Sequence, residues 1–253
     1  MCNFVPCKIT HYYIYMKYAI IAAGEGSRLA AEGIDTPKPL VRVGGECLID
    51  RLIRVFMDND ADEIVCICND RTARVASHLV SLQRDGLNGR PVPLRFVMKS
   101  TPSSMHSFFE ISKYLQDEPF VLTTVDTIFQ EAEFADYIRT FRSQQCDGLM
   151  GVTSYVDDER PLYVETTTDL RITAFCDQPA NCQFVSGGIY GLQPSSIFTL
   201  SNCIARSERH MRNFQRALLA DGRRLTAWPF SKVLDVDHAD DIRKAEEFLG
   251  KVK

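Results

Sequence analysis

What this chain lacks narrows its function before any motif is read. No apolar run approaches the ~20 residues of a membrane-spanning helix, so no membrane partner is expected. Its 253 residues carry a net charge of −4 and no basic stripe, which argues against nucleic acid as a main partner. No Cys-x-x-Cys pair occurs. The nine cysteines are odd in number and dispersed, apart from Cys66 and Cys68, which alternate within an apolar strand. That pattern excludes a disulfide framework and a zinc site, and fits free thiols in a reducing cytoplasm. Internal repeats, low-complexity tracts and long linkers are absent too.

The first fifteen residues have no clear basic start, long apolar stretch or small-residue cleavage site, so a secretory signal is not expected. They read as a disordered or loosely packed extension, with Met16 as an alternative start. The remaining 16–253 suit a single large α/β domain able to bury a sizeable core.

What is present begins at Tyr18. An apolar strand, Tyr18 to Ala22, runs straight into the turn Ala23-Gly24-Glu25-Gly26, followed by Ser27 and Arg28. Gly24 and Gly26 can take backbone angles closed to other residues and let main-chain N–H groups close on an anion. Lys38 follows within Thr36-Pro37-Lys38-Pro39, so two cations can converge on the same loop. A peptide-walled cradle with two added positive charges is what a triphosphate requires. A dinucleotide fingerprint would need a third glycine where Leu29 stands, and a P-loop would need a Gly-Lys-Ser/Thr triplet that the chain does not have. An ordinary strand-to-helix turn is the plain structural alternative, and the ordered Arg28, Thr36, Pro37, Lys38 and Pro39 weigh against it.

Strand and helix patterns alternate downstream: strands at 63–68, 94–98, 120–125 and 148–153, helices at 48–58, 72–84, 105–115 and 131–144. Such alternation predicts a mostly parallel sheet with helices on both faces. After residue 153 the pattern changes to strands at 162–166, 171–175 and 184–192 with short polar turns, which predicts a small antiparallel insertion. Helices near 195–200 and 213–220, a strand at 225–228 and a helix at 239–249 complete the chain. The expected organisation is one domain with two lobes, a first over 16–126 that carries the triphosphate cradle and a second over 127–253.

Acidic residues stand where ligands of α/β sheets collect. Asp126 ends the apolar run from Phe120, at the carboxyl edge of a central strand. The alternative is a turn or helix cap. Asp235 and Asp237 are spaced by two on an extended segment, so their carboxylates point to one side. Magnesium takes one or two protein carboxylates at phosphoryl sites, and these are the candidates.

Ala22-Ala23-Gly24-Glu25-Gly26-Ser27-Arg28-Leu29 with Pro37-Lys38-Pro39-Leu40 resembles the N-terminal motif of the sugar-1-phosphate nucleotidyltransferases, the nucleotide-sugar pyrophosphorylase superfamily. The resemblance implies a Rossmann-like, glycosyltransferase-A-like nucleotidyltransferase fold. It implies transfer of a nucleotidyl group from a nucleoside triphosphate to a phosphorylated acceptor, with Mg2+ and release of pyrophosphate. Ala22 to Arg28, Lys38 and Ser104 would then bind nucleotide, with Arg28 and Lys38 acting on the phosphates. Asp126, Asp235 and Asp237 would hold the metal, with Asp126 and Asp235 preferred.

By the same resemblance Gly188, in Gly187-Gly188-Ile189-Tyr190, and Glu165 would line the acceptor pocket; for Gly188 a strand bulge is an equal reading. The segment Ser100 to Ser107 lacks the glycines of many sugar-type members, which leaves base and acceptor open, and His106 reads as a cap or a nucleotide contact. The acceptor is a sugar 1-phosphate or, as the near alternative, phosphocholine or another small phosphorylated molecule. A glycosyltransferase of related fold and a non-catalytic sensor are rivals of other classes. No C-terminal repeat domain is expected, and homo-oligomerisation stays open.

Overall fold

The computed structural model describes residues 15–250 except 145, 158 and 180. The N-terminal extension, Tyr15 apart, therefore lies outside the described residues. The chain opens with β1 (Lys17–Ala22), a short helix α1 (Ser27–Ala31), a 3-10 turn at Lys38–Leu40 and a small hairpin, β2 (Arg42–Val43) and β3 (Glu46–Cys47). Helix α2 (Leu48–Met57), β4 (Glu63–Cys68), α3 (Ala73–Asp85), β5 (Leu94–Met98), α4 (Ser104–Ser112) and β6 (Phe120–Thr124) follow. Next come β7 (Thr127–Ile128), α5 (Glu131–Ser143), β8 (Gly148–Thr153), β9 (Tyr163–Thr166), β10 (Ile172–Cys176) and β11 (Phe184–Leu192). Helices α6 (Ser196–Ala205) and α7 (Met211–Ala220), strands β12 (Leu225–Phe230) and β13 (Leu234–Asp235), and α8 (Ala239–Phe248) complete the order.

The main sheet follows β10-β9-β11-β6-β1-β4-β5, with β8 on the other edge of β11 and β12 beyond it. Strands β6, β1, β4 and β5 run parallel. They are parallel because a helix returns the chain across the sheet each time, and β1 and β4 are apolar on both faces for the same reason. Tyr18 and Ile20 enter one core with Phe56 of α2 and Phe134 of α5, where the rings of Tyr18 and Phe56 stack at 4.5 Å. Ala19 and Ile21 enter the opposite core with Phe108 of α4, Leu200 of α6 and Phe214 of α7. Alternation along one strand thus feeds two helical layers.

The expected antiparallel strands are present and continue this sheet. Strand β11 pairs antiparallel with β6 through Ile189–Leu192 and with β9 through Phe184 and Val185. Between the two pairings the register to β8 slips, from Ser186 to Ile189, and Gly188 there has φ 70°. This left-handed angle suits glycine and makes a bulge that turns the strand from one partner to the other. Pro229 lies in β12, an edge strand, where no ladder donor is lost.

Parallel pairing places the ends of β1 and β6 side by side, so the turn after Ala22 and Asp126 leave the sheet at one edge. The minimal strand β13 runs back antiparallel to β7, pairing Leu234 with Ile128 and Asp235 with Thr127. The N–H of Val236 donates to the Asp126 carbonyl at 3.1 Å. Residues 110 positions apart are thereby held at one point by backbone alone. Among the described residues, no helix is long and apolar enough to cross a membrane.

Candidate active site

Two adjoining cavities flank the loop after β1. One, of 370 Å3, is walled by Ala22, Gly24, Glu25, Lys38, Ser104 and Asp126, among others. The other, of 290 Å3, lies over Gly24, Gly26, Ser27, Thr36, Lys38 and Asn69. Gly26 caps α1 with φ 64°, and a Cβ there would stand 3.3 Å from the Lys38 Cβ. Both the angle and the close approach of the lysine segment require glycine.

Residues just after β4 buttress this loop. Asn69 Nδ2 donates to the Gly24 carbonyl at 3.0 Å, and Arg71 pairs with Glu25 at 2.7 Å. Sequence reasoning did not single out either residue. Their signal is positional: they follow the neighbouring parallel strand at the same edge of the sheet. At the far wall, Ser104 opens α4 behind its N-cap Ser103. Ser103 Oγ accepts the His106 N–H at 3.4 Å and lies 2.8 Å from the ring Nδ1, so His106 serves the cap.

Lys38 sits where the two halves of the chain meet. Its Nζ donates to Asp126 and, at 2.6 Å, to Asp237 Oδ1. Arg28 Nη1 donates to the other oxygen of Asp237 at 2.7 Å. The Lys38 side chain is only 10% exposed, and burial by itself lowers its pKa. The attraction of Asp126 and Asp237, with their hydrogen bonds, outweighs that burial and holds the ammonium above the ordinary lysine range. The cluster is two cations against two carboxylates, ion-paired at the mouth of a cleft.

The other expected site residues divide. Asp235 lies on the wall of a third cavity, of 260 Å3, together with Arg28, Ser186, Gly187 and Asp237. Between the two spaced aspartates it is Asp237 that meets Lys38, although Asp235 is the preferred one by resemblance. Gly188 stands in the bulge, where an added Cβ would be 3.7 Å from Thr127 Oγ1, one residue beyond Asp126. Glu165 is on β9 opposite Ala174 of β10 and lines none of these three cavities.

The donor set fits a hard cation. Asp126 and Asp237 converge on one positive centre, the Lys38 ammonium, and supply only oxygen. Among the described residues no group of three or more His, Cys, Asp or Glu could hold a metal ion. Two carboxylates, with water and phosphate completing the shell, are what Mg2+ takes, whereas zinc would need a denser nitrogen or sulfur set.

Comparison with known proteins gives the family. A UTP–glucose-1-phosphate uridylyltransferase of Haloferax volcanii is 25% identical over 247 residues, 92% of this chain and 96% of its own length. The inositol-1-phosphate CTP transferase of T. maritima shares the fold with a TM-score of 0.76 at 19% identity, over 94% of this chain and 96% of that one. A Bacillus anthracis structure assigned as a glucose-1-phosphate thymidylyltransferase, in complex with a sucrose, superposes with a TM-score of 0.79 at 21% identity and the same coverage. The nucleotidyl transferase family model matches residues 17–252. A match over nearly the whole chain sets aside the glycosyltransferase and sensor readings: the chain belongs to the nucleotidyl transferase family and is a nucleotidyltransferase.

Proposed function

We propose that the protein transfers a nucleoside monophosphate from a nucleoside triphosphate to a sugar 1-phosphate, releasing pyrophosphate. The observation that carries the reading is Lys38 held between Asp126, which lines the loop cavity with it, and Asp237, which lines the cavity that also takes in Asp235. The triphosphate lies along Ala22 to Ser27, with its base toward Ser104. Backbone N–H groups of the Gly24–Gly26 turn take its oxygens, and Arg28 neutralises the departing pyrophosphate. Asp126 and Asp237 hold Mg2+, with Asp235 beside them. When bound, the ion neutralises charge on the phosphates of both substrates.

The acceptor sits in the cavity lined by Ser186, Gly187 and Asp235, with Gly188 at its edge. An oxygen of its phosphate attacks the α-phosphorus in line, and the bond to the pyrophosphate oxygen breaks. No covalent side-chain nucleophile is needed; positioning and charge stabilisation suffice. Lys38 turns from the carboxylates to the α-phosphate and stabilises the charge that builds on it.

The names of the relatives, glucose-1-phosphate and inositol-1-phosphate transferases, support a phosphorylated polyol as acceptor. One feature favours a second acceptor: Asp157, Glu159 and Asp235 line the third cavity with Tyr155, walls that also suit a cationic head group such as that of phosphocholine. The seven described cysteines are free, in keeping with a cytoplasmic setting. The test is pyrophosphate release from each common triphosphate with Mg2+, against sugar 1-phosphates, inositol 1-phosphate and phosphocholine. Release with a sugar 1-phosphate is expected; release with phosphocholine alone would transfer the acceptor assignment to it, and release with none would refute the proposal.

A further inference from the structure

Arg51 is among the largest fully buried side chains of the molecule, 1% exposed, on the core face of α2. Its neighbours along that face are Leu48, Leu52 and Val55, and an apolar residue would complete the stripe. Arg51 Nη2 donates to the Phe129 carbonyl at 2.6 Å, and the guanidinium lies 5.0 Å from the Phe129 ring centre. Nε and Nη1 are buried with no hydrogen-bond partner among the described residues. The nearest carboxylate oxygen, of Glu131, is 3.9 Å from Nε, and the same carboxylate bonds Arg54 at 2.9 Å through both oxygens. Burial pulls the Arg51 pKa down to about 10, so the group stays charged near neutrality.

A buried cation with two unanswered donors is a poor device for stability. Replacing such a group by an apolar residue of similar volume is often neutral or stabilising. What Arg51 does hold is one end of a short segment. Asp126 stands at its start, β7 fills its middle and the Phe129 carbonyl closes it. The same segment carries β13 by two residue pairs and the Val236 N–H on the Asp126 carbonyl. A ribbon of two residues per strand has little stability of its own. Asp126 immediately precedes one strand of this ribbon, and Asp237 lies two residues beyond the other.

We propose that Arg51 is a positioning residue for the metal-binding carboxylates, retained in the core at the expense of stability. The proposal rests on the functional reading above. It assigns Arg51 no contact with substrate or metal; it acts through Phe129 and the β7–β13 ribbon.

The test compares Arg51→Met and Arg51→Lys with the wild type, and uses Arg54→Met as a neighbour whose bonds go to the side chains of Glu46 and Glu131. Three quantities are read on nucleotide-free protein: melting temperature, Mn2+ affinity by electron paramagnetic resonance, and hydrogen exchange at the Val236 amide. Arg51→Met should melt no lower than the wild type, bind Mn2+ about tenfold or more weakly, and exchange Val236 faster. Arg51→Lys should recover part of the Mn2+ affinity, and Arg54→Met should melt lower with Mn2+ affinity unchanged. A lower melting temperature for Arg51→Met with wild-type Mn2+ affinity and Val236 exchange would make Arg51 merely structural and overturn the proposal. If Arg51→Met does not fold, its premise on stability is wrong and the proposal falls in that form. Failure of the wild type to bind Mn2+ would instead break the parent reading, while Val236 exchange would still decide whether Arg51 holds the ribbon.

Discussion

The two halves of the molecule solve the same problem in opposite ways. Up to β6 the chain uses long parallel strands and returning helices, and the loop at the sheet edge inherits its position from β1 and β4. Beyond β6 the site depends on a bulge, a forked sheet and a ribbon of two-residue strands. In the first half β1 and β4 are paired on both edges and buried over nearly their whole length. The second is assembled from exceptions to regularity, and such exceptions collect at functional sites. The glycine turn on one side of the cleft rests on long strands, and the opposite side rests on a few residues.

Substitutions sharpen that contrast. A large effect is expected in the first half: Lys38→Met should lower kcat/KM by roughly 10²–10³-fold with the fold retained, measured by pyrophosphate release and melting. Across the cleft, Asp237→Asn should lower turnover more than Asp235→Asn, since Asp237 is the residue that meets Lys38 and Arg28. Equal effects would return Asp235 to the centre of the site.

Gly188→Ala should raise the acceptor KM and leave triphosphate affinity unchanged by calorimetry, because only the bulge is altered. Its φ of 70° predicts a loss of roughly 1–2 kcal/mol in stability, read by denaturant unfolding. A matched loss of triphosphate affinity would show that the halves are not separable.

The smallest effect concerns the surface of the first half, where the His78 Nε2–H donates to Asp50 at 2.5 Å. That bond, against some burial, raises the His78 pKa above its ordinary 6.5. Stability from the pair is therefore complete below the unfolded value of about 6.5 and fades as pH rises through the higher folded value. The melting-temperature gap between wild type and His78→Gln should be wider near pH 6 than near pH 9, with turnover unaffected.

The same contrast explains what was legible in the sequence. Strands 63–68, 94–98, 148–153 and 184–192 are seen where their periodicity places them, because burial on fixed faces writes itself into residue type. The glycine turn and Asp126 stood out as candidates for a related reason: each follows a strand end, whereas Arg28 and Lys38 stood out through the ordered motif around them. Strands β7 and β13 were not, since two residues carry no period, and only tertiary pairing makes them strands. Nothing local could therefore show that Asp237 bonds Lys38. The partners Asn69 and Arg71 were hidden because their role comes from strand adjacency, which spans 45 residues of chain for Asn69 and Gly24. Continuity of the antiparallel strands with the main sheet depended on a register slip at Gly187–Gly188, which the glycine pair allowed but did not dictate.

The central claim is that a carboxylate at the end of β6, facing Lys38, organises the transfer. The direct measurement is pyrophosphate release by purified Asp126→Asn with the triphosphate and acceptor that the wild type uses. Loss of several kcal/mol of charge stabilisation predicts a fall of about 10³-fold or more in turnover, with melting temperature close to that of the wild type. Near-normal turnover in the folded variant would contradict the account.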